Sequence, residues 1–105
     1  MFNDLPKATD RTIDDFNGVE PDFEEKLEFY DPRKNHNKFW ICQVYNFYIV
    51  RRWGRHGSKG QTLINTAWNK WRASDAAKDM VQQKRDKGYR SDKTTILDHI
   101  ARKVN

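Results

Sequence analysis

One short stretch of the 105-residue sequence combines residue types that could bind a phosphate-rich ligand. Arg51-Arg52-Trp53-Gly54-Arg55 surrounds a single indole with permanent positive charges. An indole can stack on a base, which contributes about 1–3 kcal/mol per base, and a guanidinium can bind a phosphate through two hydrogen bonds. The same stretch could be a core tryptophan flanked by surface arginines, so these residues alone leave both interpretations open.

The period of a strand decides which of these side chains could act together. If Gly54 continues the strand, alternation places Arg51, Trp53 and Arg55 on one face of the sheet, whereas Arg52 points to the other face. The expected binding face therefore carries one indole between two guanidinium groups.

The glycine-rich segment that follows, Gly54-Arg55-His56-Gly57-Ser58-Lys59-Gly60, does not match the common phosphate-binding loops. It has neither the spacing of a Walker A loop nor that of the dinucleotide fingerprint. Its two overlapping Gly-x-x-Gly units are weakly similar to the backbone clamp of KH domains, but here a strand precedes them. The segment therefore predicts a hairpin turn, with Lys59 at its tip.

Catalytic and metal-binding groupings are poorly developed in this sequence. His56 and Ser58 share one glycine loop, so no general base is held in place by packing. The spacing of His36, His56, His99 and Cys42 does not fit a zinc site. We therefore expect a protein that is not an enzyme and that needs no cofactor and no metal.

Charge is distributed unevenly along the chain. Residues 1–31 hold ten acidic and three basic residues, a net charge of −7, whereas residues 32–105 hold seventeen basic and five acidic residues, a net charge of +12. A basic segment of this kind favours polyanionic partners, although many soluble domains are basic without binding one. The acidic lead is expected to be a poorly ordered tail; the alternative is that it folds back over the basic face.

Hydropathy and cysteine content indicate an intracellular protein. The longest uninterrupted apolar runs have four residues, so no membrane span is expected. The N-terminus lacks the pattern of a secretory signal. The single cysteine, Cys42, lies in an apolar run, which suits a buried thiol in a reducing compartment.

The central part of the chain has the pattern of an antiparallel sheet. Aromatic and β-branched residues predict strands over Lys38–Tyr45, Phe47–Trp53 and Gln61–Asn65. Only Asn46 separates the first two, so we expect a tight hairpin in which Asn46 takes a positive φ. The stretch Asp22–Tyr30 could add an edge strand.

A helix is expected after these strands. Ser74 is a suitable N-cap, and Gly88 is a suitable C′ residue that lets Tyr89 pack back on the last turn. Between them lies an apolar stripe of Ala76, Ala77, Met80 and Val81, extended by the stem of Lys84. A second, short helix is predicted over Ile96–Val104.

The predicted fold class is α+β. It comprises an antiparallel sheet of three to four strands packed against one long helix, with a short C-terminal helix in addition. We expect an acidic lead over residues 1–25, a compact domain over residues 26–90, and a helical extension over residues 91–105.

The order of several motifs resembles that of a known family. Lys38-Phe39-Trp40, Arg52-Trp53-Gly54-Arg55-His56-Gly57, Gly60-Gln61-Thr62 and Lys87-Gly88-Tyr89 follow one another as in the WGR domain, which occurs in poly(ADP-ribose) polymerases and in small bacterial proteins. The resemblance covers about residues 35–90. Gly54, Gly57, Gly60 and Gln61 would be the structural residues of the motif.

The resemblance implies a nucleic-acid-binding role for particular residues. In the polymerases the domain grips DNA at a break, with its Trp against the terminal nucleotide and its Arg bridging to a neighbouring domain; Trp53 and Arg55 match these two positions. Asn35, Asn37 and Lys38 match an entry segment that lies beside the DNA backbone. Tyr89 matches an aromatic at the DNA end, with Lys84 as a phosphate contact beside it. Arg51 and Lys59 complete the candidate set on charge alone.

The sequence also departs from the family pattern. His56 follows Trp-Gly-Arg where the family has an apolar residue, and Trp68 and Trp71 precede the helix, where they could extend the core or add stacking surface. With no partner domain in the chain, the bridging role of Arg55 would need a protein partner in trans or would be replaced by a direct phosphate contact.

Three functions therefore remain open. The favoured one is a non-catalytic module that binds DNA with a preference for ends or nicks. The second is a small adaptor that docks on an acidic protein or a ribonucleoprotein. The third is binding of RNA or of single strands.

Overall fold

A computed structural model of the chain describes residues 5–91. They form a five-stranded antiparallel sheet with one long helix packed on one face. The elements in chain order are β1 (Phe23–Asp31), β2 (His36–Tyr45), β3 (Tyr48–Arg55), β4 (Gln61–Thr66), α1 (Lys70–Asp86) and β5 (Arg90–Ser91). The strand order across the sheet is β4-β3-β2-β1-β5. This confirms the α+β class, and none of the helices within residues 5–91 is long and apolar enough to cross a membrane.

The predicted number of strands was too low. The two residues of β5 follow the helix and pair with Leu27 and Glu28 of β1, which makes a fifth strand. For the same reason β1 is not an edge strand, because it lies between β2 and β5. A strand of two residues is too short to have a recognisable period, so the sequence pattern could not reveal it. The predicted helix over Ile96–Val104 lies outside the described residues.

The hairpin between β2 and β3 aligns two motifs of the site. Asn46 has a φ of +57°, as expected, and Tyr45 is paired with Tyr48 across a two-residue turn. The strand β3 runs two residues further than predicted, through Gly54 and Arg55, so these two residues do not belong to the loop. The resulting register places Trp40 opposite Trp53 and Lys38 opposite Arg55.

Two glycines allow the loop between β3 and β4 to fold tightly against β3. A Cβ atom built on Gly54 would lie 2.8 Å from the Cα of Gly60, and one built on Gly60 would lie 2.7 Å from the ring of Phe39. Gly60 also has a φ of +72°, which side chains rarely allow. The glycine of Trp-Gly-Arg is thus required by close approach of the backbone, not by its own dihedral angles.

The helix α1 begins earlier than predicted. Its N-cap is Asn69, whose side-chain oxygen accepts a hydrogen bond from the backbone N–H of Arg72 at 2.8 Å, so Ser74 lies inside the helix. Asn and Ser are comparable N-caps, and the Trp-rich sequence between them hid the first turn. The predicted apolar stripe of Ala76, Ala77, Met80 and Val81 is confirmed, and α1 also buries Ala73, which was not predicted.

The main core lies between α1 and the sheet. The helix packs on strand residues that alternate to one face, including Leu27, Trp40, Val44 and Ile49, each no more than 3% exposed. Cys42 lies among them and is fully buried. This packing fixes the helix across the strands whose far ends carry the candidate site.

Residues 5–22, part of the acidic lead, pack against the sheet. Lys7 pairs with Asn65 at the edge of β4, and Ala8 and Phe16 are buried against Tyr48 on the face opposite α1. The phenol of Tyr48 donates a hydrogen bond to Asp10 at 3.0 Å. Ala8 and Phe16 are therefore placed on the sheet face that does not carry Trp53.

Candidate nucleic-acid interface

A cleft opens where the end of the β2–β3 hairpin meets the C-terminal end of α1. Its volume is about 290 Å³. We call it the Trp53 cleft; it is lined by Lys38, Phe39, Trp53, Gly54, Arg55, Lys84 and Tyr89. The cleft thereby brings together the motif glycine Gly54 and five site residues that were predicted from the sequence: Lys38, Trp53, Arg55, Lys84 and Tyr89.

A second hollow continues from the Trp53 cleft. It shares Lys38, Lys84 and Tyr89 with the cleft and adds Phe29, Lys34, His36 and Lys87, with a volume of about 340 Å³. Four ammonium groups therefore surround one continuous depression. We call Lys34, Lys38, Lys84 and Lys87 the lysine cluster.

Strand register explains how residues distant in sequence share this surface. Lys38 and Arg55 are direct partners across β2 and β3, and Trp40 and Trp53 are partners two positions along. All four side chains point to the face that carries α1, because strand side chains alternate. Trp53 is half-buried: it packs against the core on one side and lines the cleft on the other.

The end of α1 is shaped by a glycine that closes the helix. Gly88 has a φ of +107°; its N–H bonds to the carbonyl of Arg85, and the N–H of Tyr89 bonds to the carbonyl of Lys84. This pair of bonds is the Schellman motif, which reverses the chain after the last turn. Tyr89 consequently returns over the helix end, where its ring lies 5.4 Å from that of Phe29.

Lys84 lies at the centre of the lysine cluster. Its ammonium nitrogen is 5.3 Å from the ring centre of Tyr89 and 5.9 Å from that of Trp40. Burial lowers the pKa of Lys84, and the neighbouring charges of Lys87, Arg51 and Lys38 lower it further. Burial also raises the pKa of the Tyr89 phenol. The charged form of Lys84 is thus less favourable here than in water, which is the situation an anionic ligand would relieve.

Among residues 5–91, no acidic side chain pairs with a positive charge of the Trp53 cleft. The ion pairs of that part of the chain are His56 with Glu28 at 3.1 Å and Arg85 with Glu25, and neither involves a residue that lines the Trp53 cleft. Residues 5–91 thus leave the positive charges of the cleft without an acidic partner.

Arg55 is oriented by the turn before β2. Its guanidinium donates to the side-chain oxygen of Asn35 at 3.2 Å and to the backbone carbonyl of Asn35 at 3.4 Å. Asn35 itself has a φ of +57° after the short 3₁₀ helix Pro32–Lys34. Because a guanidinium has five N–H donors, this anchoring leaves others free. Asn37 has an exposed side chain, and its carbonyl accepts the backbone N–H of His56 at 2.8 Å.

Besides Asn35 and Asn37, two more predicted site residues, Arg51 and Lys59, do not line the cleft. Arg51 points to the same face as Trp53 but lies near Cys42 and donates to Asn65 at 2.7 Å. Its burial lowers the pKa of the guanidinium. Lys59 is exposed on the loop after β3, where Gly57 has a φ of +90°.

The predicted motif residue Gln61 starts β4 as the strand partner of Trp53.

The described residues hold no grouping suited to metal or nucleophilic chemistry. Within residues 5–91, no cluster of three or more histidine, cysteine, aspartate or glutamate side chains could hold a metal ion. Burial raises the pKa of the Cys42 thiol to about 12, which keeps it protonated. His56 is exposed and paired with Glu28 on the sheet face away from α1.

The sequence did not single out every residue that the structure brings to the site. Lys34, His36 and Phe29 line the hollow beside the cleft, and Lys87 joins them. Lys87 was part of the Lys-Gly-Tyr motif but was given no role. No sequence pattern could have identified Lys34 as a site residue, because only the pairing of β1 with β2 brings the turn between them beside the end of α1.

Comparison with known proteins bears directly on this arrangement. The family model described as WGR domain matches residues 23–96, which is more than half of the chain and includes every residue that lines the Trp53 cleft. The chain belongs to the WGR domain family. The WGR match begins at the first residue of β1 and includes all five strands and α1.

Similar proteins include two curated sequences and one solved structure. A 76-residue stretch is 32% identical to poly [ADP-ribose] polymerase 2 of Arabidopsis thaliana, over 64% of this chain. A 69-residue stretch is 29% identical to an uncharacterised protein of Sinorhizobium fredii, over 61% of this chain. A crystal structure of a Bacteroides fragilis protein superposes with a TM-score of 0.61 at 26% identity, over 66% of this chain.

Each of these relatives is longer than the 105 residues of this chain. The match spans 12% of the Arabidopsis polymerase, 34% of the Sinorhizobium protein and 19% of the Bacteroides chain. The similarity is thus limited to a part of each relative's length.

Proposed function

We propose that this WGR protein is a non-catalytic nucleic-acid-binding module that binds DNA through the Trp53 cleft and prefers ends or nicks. The observation that carries the proposal is the cleft itself, in which an accessible indole lies beside Arg55 and the lysine cluster, and none of the described residues that line it is acidic. An intracellular location is part of the proposal.

The residues of the cleft divide into two chemical roles. Trp53 and Tyr89 offer aromatic surface for a base or a sugar, whereas Arg55 and the lysine cluster bind phosphates. Asn35 orients the guanidinium of Arg55, and Asn37 stands beside it at the start of β2. Arg51 and Lys59 lie outside the lining of the cleft, and their contact with nucleic acid remains a prediction.

The preference for ends follows from the accessibility of base faces. Inside an intact duplex, every base pair is covered above and below by its neighbours, so an indole cannot stack on it without unstacking the helix. At an end or a nick, one face is free, and the indole of Trp53 can cover it at no such cost. A phosphate close to that base would then lie within reach of the adjoining lysines.

A competition assay tests the proposal directly. Labelled short duplex would be displaced by equal nucleotide concentrations of linear duplex, nicked circle, closed circle and RNA. We expect linear and nicked DNA to compete best, and Trp53→Ala to weaken binding to them by roughly 5- to 150-fold, the equivalent of one lost stacked base. Binding to closed circles is the internal control and should change by less than twofold.

Two outcomes would change the conclusion in different ways. Equal competition by linear and closed DNA would remove the end preference while leaving general binding intact. Absence of binding to every nucleic acid would refute the proposal and would leave the adaptor function, in which the same cationic surface docks on an acidic protein.

A further inference from the structure

Two tryptophans at the start of α1 are strongly exposed. Trp68 is 89% exposed and Trp71 is 69% exposed. They do not extend the core, which was one of the two expectations for them. A cation lies over each ring: the ammonium of Lys70 is 5.2 Å from the ring centre of Trp71, and the guanidinium carbon of Arg72 is 5.9 Å from that of Trp68. We call these four residues the tryptophan patch.

The tryptophan patch is locally unfavourable in the isolated chain. Large apolar rings in water are a feature of interaction surfaces in soluble proteins. In addition, Lys70 and Arg72 stand in the first turn of α1, which holds no acidic residue, although the helix dipole favours negative charge there. Both costs would be offset by a partner that is apolar and negatively charged.

The chain itself carries a surface of this description. A cleft of about 330 Å³ is lined by Asp15, Phe16, Val19, Glu20, Asp22, Tyr45 and Asn46. Val19 is 50% exposed, an unusual position for an aliphatic side chain among three carboxylates. Within residues 5–91, none of these carboxylates forms an ion pair. We call this the acidic cleft.

Both surfaces flank the turn of the β2–β3 hairpin. The N–H of Ala67, next to Trp68, bonds to the carbonyl of Phe47 in that turn at 2.8 Å. The N–H of Asn46 bonds to the carboxylate of Asp22 at 2.7 Å. The tryptophan patch lies on the side of the sheet that carries α1, whereas Phe16 of the acidic cleft stacks on Tyr45 on the opposite side. The two surfaces thus share one end of the molecule but not one face, and neither can reach the other within a single chain without passing around the hairpin.

We propose that two copies of the chain associate end to end, with the tryptophan patch of each copy seated on the acidic cleft of the other. In this arrangement a two-fold axis lies in the plane of the sheet, perpendicular to the strands and just beyond the hairpin turn. Rotation about this axis brings the hairpin ends of the two copies together and turns one copy over, so that the α1 face of each copy adjoins the opposite face of the other. It therefore brings both complementary pairs together in one closed, symmetric interface. A second copy is the occupant that supplies both the apolar surface and the negative charge.

This arrangement leaves the Trp53 cleft free. The 17 residues of α1 span roughly 25 Å, and the tryptophan patch and the lysine cluster lie at its opposite ends. The two Trp53 clefts of the pair would consequently face outward. A polyanion is a poorer occupant of the tryptophan patch, because the three carboxylates of the acidic cleft stand at the same end of the sheet.

Analytical ultracentrifugation of the whole chain tests the association. We expect a dimer at low salt that dissociates as salt rises, because opposite charges are screened. The double variant Trp68→Ala/Trp71→Ala should raise the dissociation constant at least 100-fold, since two exposed tryptophans are lost from the interface. In the second variant, Glu20→Lys/Asp22→Asn, the amide oxygen of the new asparagine can still accept the N–H of Asn46. This second variant should raise the dissociation constant of the dimer to a similar extent.

Controls separate this interface from other effects. Tyr30→Ala removes another exposed aromatic, 70% exposed, and should leave the dimer intact. Mixing the two impaired variants should restore heterodimers, because one intact pair of surfaces remains between them. Trp53→Ala should weaken nucleic-acid binding without changing the mass of the sedimenting dimer. Failure of the proposed function and failure of the dimer are therefore distinguishable.

Three results would overturn the proposal. These are a monomer at every concentration up to the millimolar range, a dimer that survives both double variants, and a Trp68→Ala/Trp71→Ala variant that stays dimeric while losing nucleic-acid binding. The last result would assign the tryptophan patch to nucleic acid.

Discussion

Neutralising Lys84 should weaken nucleic-acid binding without weakening the fold. The ammonium group lies above Trp40 and Tyr89 and is surrounded by other cations, and burial together with those charges lowers its pKa. Methionine has an unbranched stem of similar length, so Lys84→Met should keep the apolar packing while removing the charge. In the free protein this removes a repulsion, and in the complex it removes a phosphate contact.

The size of the effect on binding follows from the number of cations at the site. Arg55 and the four lysines of the lysine cluster face the depression. If each neutralises one phosphate, the slope of the logarithm of affinity against the logarithm of salt concentration is about −4.5, and Lys84→Met should reduce it to about −3.6. Between 50 and 200 mM salt, the difference corresponds to roughly a 3.5-fold smaller loss of affinity for the variant.

Fluorescence anisotropy with a short labelled duplex, titrated at five or more salt concentrations, measures both slopes. Lys78→Met is the matched control, because Lys78 is an exposed lysine on the same helix outside the cleft. It should leave the slope within error of the wild type. An unchanged slope for Lys84→Met, or an equal reduction for both variants, would show that Lys84 does not contact phosphate.

The stability of the same variant has a definite pH dependence. Because the folded-state pKa of Lys84 is lowered, the unfolded chain binds more protons in the interval between the lowered pKa and the ordinary value of 10.5. Below that interval the charged lysine destabilises the fold, and this penalty disappears as pH rises through it. The stability gained by Lys84→Met should therefore be present below that interval and vanish above pH 10.5. Urea titrations of both proteins at several pH values measure the difference.

Three further predictions concern the framework of the site. Gly88→Ala places a Cβ 3.0 Å from the ring of Phe29 at a φ of +107°, and should lower the free energy of unfolding by about 1–3 kcal/mol in urea titrations. Asn69→Ala should cost about 1 kcal/mol by the same measurement, whereas Ser74→Ala should cost far less; the reverse order would contradict the observed helix start. With a pKa of about 12 against 9.0 when unfolded, Cys42 should react with a thiol reagent at pH 8 only after unfolding, and its contribution to stability should be complete below pH 9 and lost between pH 9 and about 12.

The sequence predicted those elements whose signals are local. The positive φ at Asn46 and the helix end at Gly88 depend on the conformational preferences of one residue, and both were confirmed. The alternation of β3 also placed Trp53 and Arg55 on one face, as expected. These features are decided by backbone sterics and by side-chain period, which a single sequence displays.

What the sequence could not predict depends on contacts between distant segments. The short strand β5 exists because Arg90 and Ser91 pair with β1, and two residues carry no period of their own. Ala8 and Phe16 are scattered among acidic residues, so their burial against Tyr48 left no pattern to recognise. The end of β3 at Arg55 was not predicted, because a glycine usually ends a strand. Here Gly54 continues β3, and its lack of a side chain leaves room for the loop between β3 and β4.

The composition of the Trp53 cleft suggests why its cations tolerate one another in the free protein. Lys84 and Lys87 stand at the C-terminal end of α1, where the carbonyl groups of the last turn carry partial negative charge and favour cations. The rings of Trp40 and Tyr89 present their electron-rich faces to Lys84. These interactions offset part of the repulsion but, being dipolar, neutralise none of the net charge. A polyanion would neutralise it, so binding of nucleic acid should raise the free energy of unfolding, and more so for the wild type than for Lys84→Met.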